Sequence, residues 1–572
     1  MRNQVDDEAE PQALFLNPAR DPGIGFVVPP AYWWRLRDPG VIEGFAASDD
    51  DTMNARIDAH LRQVKRHRAF TRVAEVNVVP VLLEAAAFRK SHATAGGKAL
   101  LNGASGARLL NRFGWDRPGQ DAEAALGRYF AACQAANAGA VLPQGVVPKG
   151  VDFAIECRNT FNYFHFLTET LSQLCVLDGL AFTGRVYLHF PNHPEKTRTF
   201  VRGFIDALFP ELADRVVLER APKDYPRVLS AFSFQWTYFQ MPPQVVGSLD
   251  GLALSDLSWH GHRATRSTRA VLAMNTVETT LLALRARGLR AIAGRDFSHL
   301  PKRFYITRKP GQARDRQMQG EPALVELLEA FGFRSLAFED LTPLEQIALM
   351  AQAEVMISAH GAGFANMLFA GDQTTVIEIG TLQTAQIRWA DFWPVAHASR
   401  CRYVSFIADH HSDTPLEVPD FIAAGILAPQ LSDRGLGRVM AYVAALCGHV
   451  PRLARAQDVA LLAGQLLRSG HILPAEAVLD RHADLQPGSA DLCLAQAELH
   501  KARQEWRAEL IALYAARQAD PTRWQVLAQI LWCARRLGKT QVQVWAIRLL
   551  QSEFPDRIAE LAKDRDWVQQ LL

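Results

Sequence analysis

The middle of the chain has the clearest pattern of apolar and polar positions. The apolar run Val355–Ala359 predicts a buried strand. His360 and three small residues, up to Gly363, come next, and an apolar helix is expected from Phe364. A strand that stops at small residues and restarts as a helix brings unpaired backbone amides to a helix N-terminus, which suits an anion. Taken alone, two glycines in such a turn more often mark only a tight turn.

Strands and helices alternate on both sides of this turn. Apolar runs predict strands over Arg303–Arg308, Phe333–Phe338, Val355–Ala359 and Thr375–Ile379. An amphipathic run predicts a helix over Glu321–Phe331. A capping box is expected to start the helix before Val355, since Thr342 is followed by Pro343 and Glu345. This rhythm predicts a parallel sheet covered by helices.

The segment Asp152–Asp178 combines a predicted strand with a predicted helix. The strand is VDFAIEC, and Thr160 or Asn162 is expected to cap the helix that follows. On a helical wheel, His165 and Glu169 fall on the same side as Asn162, while apolar residues gather on the other side. The polar side is either a solvated surface or a functional face that presents amide, imidazole and carboxylate groups together.

The same alternation continues along the chain. Strands are expected over 184–190, 215–218 and 227–234, with a helix over 197–209, which favours a second parallel sheet. The segment Trp236–Gly251 is rich in turn residues, and a domain boundary is expected near residue 265, before a helix near Val277–Arg287.

The first part of the chain has a weaker pattern. An irregular arm is predicted over Val27–Trp34 and a β-like run over Arg72–Leu83. A loop is predicted over Ala93–Gly106 and an amphipathic helix over Asp121–Gln134.

The last part of the chain has helical periodicity and an internal spacing. Pro487, Pro521 and Pro555 are 34 residues apart, which is the tetratricopeptide period, with a proline closing each helix pair. We interpret Gln457–Leu572 as about three degenerate helical hairpins. Their concave face is expected either to bind a protein partner or to serve only as packing that stiffens the rest of the chain.

Composition narrows the class of protein. The chain has 572 residues, 49% of them apolar and 21% charged, which is ordinary for a globular protein of several domains. A net charge of +2 argues against a nucleic-acid partner or a polybasic membrane protein. The acidic opening predicts no signal peptide, and no apolar run is long enough for a membrane span. Seven scattered cysteines predict buried thiols in a reducing compartment.

Three features are predicted at the carboxyl ends of strands in the second sheet: Arg308, the turn His360–Gly363, and Glu378. Ligands of open α/β sheets bind at that edge. A guanidinium and a helix N-terminus suit a diphosphate, and a carboxylate on the next strand suits ribose hydroxyls. The combination predicts a nucleotide site, although each part alone is common.

Four short motifs resemble glycosyltransferase family 61, a set of inverting GT-B enzymes. They are Asn162-Tyr-Phe-His165-Phe-Leu-Thr-Glu169; Ile306-Thr-Arg308 with Arg316 and Glu321; Glu345-Gln346; and His360-Gly361-Ala362-Gly363 with Asn366, followed by Val376-Ile-Glu378-Ile. The resemblance covers about residues 152–406, under half of the chain.

The resemblance implies roles for these residues. Arg308 would contact the diphosphate of a sugar nucleotide, most often UDP-linked, with Arg316 and Asn366 in the same donor site. The amides of Gly361, Ala362 and Gly363, beside His360, would assist, and Glu378 would hold the ribose. Glu169 would be the base that deprotonates the acceptor, with His165 and Asn162 orienting it or the acceptor. No metal or other cofactor is required in that arrangement.

The expected fold is therefore α/β, with two Rossmann-like domains in a GT-B arrangement and an all-α repeat domain. The domains are residues 1–265 on the acceptor side, 266–420 on the donor side, a linker over 421–455, and repeats over 456–572. The expected function is transfer of a sugar to a glycan or lipid-linked glycan, in the bacterial cytoplasm or at the inner face of the inner membrane. The alternatives are an inactive nucleotide-binding scaffold and, less favoured because GxGxxG is incomplete, a dinucleotide oxidoreductase.

Overall fold

The computed structural model describes residues 10–68, 72–90, 92–116, 121–191, 197–237, 275–309, 316–412, 414–449, 451–468, 470–563 and 566–570. Within them the chain forms mixed α/β sheets in its first two thirds and helices in its last third. The strands, numbered in chain order, are β1 Ile24–Phe26, β2 Trp34–Arg37, β3 Val41–Ala46, β4 Val73–Val76, β5 Val78–Phe88, β6 Ala93–Ala95, β7 Lys98–Ala99, β8 Phe153–Glu156, β9 Val186–Phe190, β10 Val216–Arg220, β11 Lys223–Ser233, β12 Thr276–Glu278, β13 Arg303–Ile306, β14 Arg334–Leu336, β15 Val355–Ala359, β16 Thr375–Thr381, β17 Arg402–His410 and β18 Pro429–Gln430.

The first sheet has the order β10-β9-β8-β11-β5-β6-β7, with β1 beside β5. Strands β10, β9, β8 and β11 are parallel, as the βαβ rhythm predicts, and β5 pairs with β11 antiparallel. The sheet is therefore mixed, because the long strand β5 lies antiparallel to β11 at the end of the parallel strands. Strands β12, β4 and β2 form a separate small sheet.

The second sheet is parallel in the order β14-β13-β15-β16-β17, and the short β18 pairs antiparallel with β17. The predicted alternation from Arg303 to Ile379 is confirmed in this sheet. Its far edge comes from the first part of the chain, since β3, Val41–Ala46, pairs in parallel with β17 although residues 1–265 are expected to form the first domain. The division into domains stays a prediction. A local sequence pattern cannot predict a strand pairing between residues so distant in sequence.

Helices cover both sheets. The α-helices before the repeats are Pro11–Leu14, Asp51–Arg68, Gly103–Trp115, Ala122–Asn137, Tyr163–His165, Thr199–Leu208, Thr279–Ile292, Glu321–Ala330, Pro343–Ala351, Leu382–Ile387, Trp393–Ser399, Phe421–Ala424 and Asp433–Cys447. Helix Tyr163–His165 continues as a π-helical turn, Phe166–Thr170, and a 3₁₀ segment, Leu171–Leu177; we call the whole helix 163–177. The other 3₁₀ segments are Ala213–Arg215, Phe338–Asp340, Ala362–Phe369, Trp389–Phe392 and Ala483–Leu485.

One apolar cluster joins the two sheets. It contains Phe153 and Leu167 from the first sheet and its helix, and Phe304, Met367 and Trp393 from the second. Burial of such side chains stabilises by about 1.5–3 kcal/mol each. The two sheets are thus joined through an apolar contact to which the helices that cover them contribute.

Several local predictions have clear outcomes. The capping box at Thr342 is confirmed, since its side chain accepts from Glu345 N and Glu345 reaches back to the Thr342 backbone. Residues 93–106 are not only loop, because β6 and β7 form a hairpin there and a helix begins at Gly103. Most of Trp236–Gly251, the expected boundary near 265 and residues 310–315 lie outside the described residues.

The span 421–455, expected to be a linker, is folded. It holds β18 and helix Asp433–Cys447, whose Val439 and Val443 are fully buried. The apolar side chains of this helix pack in one cluster with those of the second sheet. Gly435 and Gly437 allow this close packing, since a Cβ there would contact Ala47 and Gln465. The span is therefore ordered structure and not an extended linker.

The last part of the chain consists of helices, as predicted. They are Ala456–Arg468, Ile472–Arg481, Ala490–Ala502, Trp506–Ala519, Trp524–Arg536, Thr540–Glu553, Pro555–Ala562 and Asp566–Gln569. The first helices of three successive pairs begin at residues 456, 490 and 524, which repeats the 34-residue spacing. The first hairpin shares an apolar cluster with the second sheet. The GT-B arrangement and the tetratricopeptide class stay predictions.

No helix among the described residues is both long and apolar enough to cross a membrane.

Candidate functional site

Helix 163–177 presents an imidazole and a carboxylate directly after β8. Asn162 caps the helix, since its side chain accepts from His165 N, and this confirms one of the two predicted caps. His165 Nδ1 lies 2.6 Å from Glu169 Oε1, so the predicted shared face is confirmed for this pair. Glu169 lies in the π-helical turn, a distortion that is frequent at functional sites.

Two arginines complete the surroundings of Glu169. Arg108 Nη1 donates to Glu169 Oε2 at 3.1 Å, and Arg158 Nη1 lies 3.8 Å from Oε1. Burial raises the pKa of Glu169, but His165, Arg108 and Arg158 together outweigh it and hold the pKa far below its usual range. The Glu169 carboxylate is therefore ionised throughout the neutral pH range and is a weak proton acceptor.

The imidazole of His165 is held on one side only. Its Nδ1 atom faces Glu169, and its Nε2 atom has no hydrogen-bond partner among the described residues. Arg158 Nη1 also lies 3.5 Å from Nδ1, so both groups contact the same side of the ring. A ring whose Nδ1 atom donates to a carboxylate has its Nε2 atom left as the hydrogen-bond acceptor. This is the arrangement in which a carboxylate orients a histidine base.

The glycine turn and Arg308 meet at the end of the second sheet. Arg308 Nη2 donates to the carbonyl oxygen of His360, and its guanidinium lies against Gly361. A Cβ on Gly361 would come within 3.3 Å of Arg308 Cζ and closer to Nη2, so only glycine leaves the guanidinium in this position. Gly363 makes room for the Phe338 ring in the same way, with a Cβ position 3.1 Å from it.

The segment after the turn is a 3₁₀ helix, Ala362–Phe369, with Gly361 as its N-cap. It begins earlier than the predicted start at Phe364 and is wound more tightly than an α-helix. Gly361, Ala362 and Gly363 are partly exposed, whereas every residue from Phe364 to Phe369 is buried. The first amides of such a helix have no intrahelical acceptor, so the turn retains the character of an anion site.

Glu378 is not at the end of its strand, because β16 continues to Thr381, and this corrects the predicted strand-end position. Its side chain is 2% exposed, and it pairs with His360 Nδ1 through one oxygen and accepts from Tyr403 Oη and Ser405 Oγ through the other. The geometry favours a carboxylate that orients His360. The ribose contact expected of Glu378 stays a prediction that finds no support in this arrangement.

Asn366 and Tyr163 tie the two halves of the site together. The Tyr163 hydroxyl donates to Asn366 Oδ1 at 2.6 Å, and Asn366 Nδ2 donates to Gln346 Oε1 at 3.2 Å. Asn366 is fully buried. It therefore links helix 163–177 to the second sheet, which is a different role from the donor contact expected from the sequence.

Aromatic rings continue this link. Phe164 packs on Phe392 with ring centroids 5.3 Å apart, and Phe392 packs on His360 at the same distance. His165, next to Phe164, is thereby brought to the same side of the molecule as the His360 turn. Helix 163–177 and the segment that begins at the His360 turn are thus connected by a continuous set of contacts.

The remaining predicted residues have simpler positions. Arg316, partly buried, is the first described residue after the gap at 310–315. Glu321 accepts from Thr307 Oγ1 at 2.9 Å, which joins the end of β13 to the next helix. Sequence reasoning missed Arg108, which lies in a distant helix. Arg158 was also missed, although it directly follows β8 and the strand-end argument used for Arg308 would have found it.

We expect the Tyr163–Asn366 hydrogen bond to contribute measurably to stability. Replacing Tyr163 by phenylalanine leaves the buried Asn366 oxygen without this donor, so the free energy of unfolding should fall by about 1–3 kcal/mol. Urea denaturation checks this. Tyr187→Phe is the matched control, since the Tyr187 hydroxyl has no hydrogen-bond partner among the described residues. Equal stability of both variants would contradict the proposed link between the halves.

An α/β protein with an imidazole held by a carboxylate, and with an arginine held against a glycine turn, has groups that a group-transfer enzyme needs. Residues 163–377 match the family model described as Glycosyltransferase 61, from the start of helix 163–177 to the residue before Glu378. This span of the chain is thus similar to glycosyltransferase family 61, and the match supports a glycosyltransferase. No curated protein matches the chain.

Proposed function

We propose that the chain is an inverting glycosyltransferase that moves a hexosyl, pentosyl or N-acetylhexosaminyl group from a UDP-sugar to a glycan hydroxyl. The proposal rests on the His165–Glu169 pair and the Arg308–Gly361 contact, which lie on two parts of the chain that the Tyr163–Asn366 hydrogen bond joins. We propose a free or lipid-linked glycan as the acceptor, in the assembly of a bacterial surface or capsular polysaccharide. The proposed setting is the cytoplasm or the inner membrane face, where nucleotide sugars are available.

In the proposed mechanism, His165 is the base. The acceptor hydroxyl attacks the anomeric carbon, the bond from that carbon to the diphosphate breaks, and the hydroxyl proton moves to His165 Nε2. Glu169 holds the opposite side of the ring and stabilises the imidazolium that forms. The sequence assigns the base to Glu169 instead; its strongly lowered pKa argues against that role, because a weak base removes a proton poorly.

The proposed donor site is the end of the second sheet. Arg308 and the amides of Gly361–Gly363 bind the diphosphate, and Arg316 contributes positive charge from the adjoining loop. A guanidinium and a helix N-terminus stabilise the negative charge that develops on the leaving UDP. These groups are the reason that we expect donor binding without a metal ion.

Calorimetric titration tests the donor site directly. The purified chain is titrated with UDP, GDP, CMP and NAD in EDTA and again with Mg²⁺. We expect UDP to bind best, with similar affinity in both buffers. NAD binding in place of UDP would favour the oxidoreductase alternative, and binding of none of the four would overturn the proposed donor site. UDP-sugar transfer to glycan acceptors then tests the reaction itself.

A further inference from the structure

Two partly exposed arginines lie near the proposed base. Arg158 comes just after β8, and Arg388 directly follows helix Leu382–Ile387. Their side chains are 38% and 28% exposed, and those of His165 and Glu169 are 17% and 16% exposed. Solvent therefore reaches all four side chains, and a substrate that approaches His165 also reaches Arg158.

The Arg158 guanidinium has only long contacts among the described residues. Its Nη1 atom lies 3.8 Å from Glu169 Oε1, which is too far for a hydrogen bond, and 3.5 Å from His165 Nδ1. When Nδ1 donates to Glu169, it has no lone pair left to accept from Arg158. A guanidinium has five N–H donors, so Arg158 can still bind an acceptor that comes from outside the chain.

Arg388 belongs to a segment that contacts helix 163–177. Its Nη1 atom donates to Asp391 Oδ2 at 3.2 Å. Phe392, the next residue, packs on Phe164 with ring centroids 5.3 Å apart. Because Phe164 directly precedes the proposed base, this contact brings the segment with Arg388 next to the start of helix 163–177.

The positive charges of these arginines act on one another. Burial lowers the pKa of Arg158, and the charges of Arg108 and Arg388 lower it as well. The carboxylates of Glu169 and Asp391 act in the opposite direction without cancelling the fall. An anion that contacts both Arg158 and Arg388 would relieve this repulsion. A guanidinium can bind phosphate or carboxylate through two oxygens at once.

We propose that Arg158 and Arg388 together bind an anionic group, a phosphate or a carboxylate, on the acceptor sugar. The acceptor has to place a hydroxyl at His165 Nε2, and Arg158 contacts the same imidazole. The diphosphate of the donor has its own proposed site at Arg308, so the second anion belongs to the acceptor. This inference rests on the proposed function, because it names the class of acceptor for that reaction.

Binding of charged and neutral sugars tests this site. Methyl glucuronide supplies a carboxylate, glucose 1-phosphate supplies the phosphate of a lipid-linked sugar, and methyl glucoside is the neutral match. Affinities are measured by ligand-observed NMR titration of the full chain, with and without saturating UDP, which occupies the proposed donor site. We expect one charged sugar to bind at least about tenfold more tightly than methyl glucoside, as fits hydrogen bonds to a charged group. The preferred charged sugar then distinguishes carboxylate from phosphate.

Substitution of the arginines identifies the groups that bind. Arg158→Gln and Arg388→Gln should each weaken binding of the charged sugar by about fivefold or more, with UDP affinity unchanged. Arg158→Lys should restore only part of the binding, because lysine keeps the charge without the planar fork. Arg402→Gln is the matched control, since Arg402 begins β17, at the opposite end of that strand from its carboxyl end, and pairs with Glu43 at 3.0 Å. Circular dichroism checks that all variants are folded.

Three results would overturn the anion site. The first is equal binding, or no binding, of the charged and neutral sugars. The second is charged-sugar binding that is unchanged in either glutamine variant. The third is a loss of UDP affinity in Arg158→Gln, which would assign Arg158 to the donor diphosphate. If UDP does not bind but a charged sugar binds through both arginines, the anion site stands and the proposed donor site is wrong.

Discussion

Replacing His165 by alanine should reduce the rate of sugar transfer by about 10²–10⁴-fold, which is the usual contribution of a general base. The reason is the single-sided anchoring of the ring, with Nδ1 on Glu169 at 2.6 Å and Nε2 available to a substrate hydroxyl. The measurement is kcat with a UDP-sugar and an acceptor at saturation. UDP affinity should be unchanged, because the imidazole belongs to the first sheet's side of the site.

The pH dependence of the same reaction separates the two candidate bases. Since its pKa is held far below the usual range, Glu169 does not change charge between about pH 5 and 8. A rate that falls toward acid pH in this window therefore does not come from Glu169. If such a fall persists in Glu169→Gln and disappears in His165→Ala, the base is His165. A flat profile in the parent enzyme would instead return the base to Glu169.

A second histidine–glutamate pair provides the control. His500 Nδ1 lies 2.7 Å from Glu505 in the helical repeats, with the same contact but outside the site. His500→Ala should leave kcat unchanged. If it lowered kcat as much as His165→Ala, the effect of either substitution would have to be assigned to stability rather than to proton transfer.

The alternating strands and helices of the second sheet could be predicted because each parallel strand is a short apolar run between turn signals, as in β15 and β16. The position of Glu378 could not, since a strand that continues through Gly380 to Thr381 looks in sequence like one that ends two residues earlier. Its partner Tyr403 lies on the next strand, β17. Whether a carboxylate faces a ligand or a histidine depends on such contacts and not on spacing.

The pairing of His165 with Glu169 could be predicted because four residues separate neighbours on a helix face. Their chemical roles could not be, since the pKa of Glu169 depends on Arg108, which is in contact through the tertiary fold alone. The same is true of Asn366, which a motif marks as functional and which the fold uses to join two sheets. The local sequence pattern thus predicts which residues belong to the candidate site, whereas the role of each residue depends on contacts between distant parts of the chain.

Replacing Arg308 by alanine should weaken UDP binding by about tenfold or more, which corresponds to roughly 1.4 kcal/mol. The guanidinium is fixed by the His360 carbonyl and by its contact with Gly361, so it is oriented before the nucleotide arrives. A planar, oriented guanidinium can bind two phosphate oxygens at once, which lysine cannot do. Calorimetric titration with UDP measures the change, and Arg308→Lys should recover only part of the affinity.

Gly361→Ala gives an independent test of the same geometry. The new Cβ would lie 3.3 Å from Arg308 Cζ and closer to Nη2, so the guanidinium must move away from the turn while its charge is retained. UDP affinity should therefore fall although no cation is removed. Arg303→Ala is the control, because Arg303 begins the same strand, β13, and pairs with Glu354 at the opposite end. Equal UDP affinity of the Gly361→Ala and Arg303→Ala variants would mean that Arg308 acts only by its charge. Full UDP affinity in Arg308→Ala would show that Arg308 is not part of the donor site, because loss of an oriented guanidinium must weaken the binding of a diphosphate that it contacts.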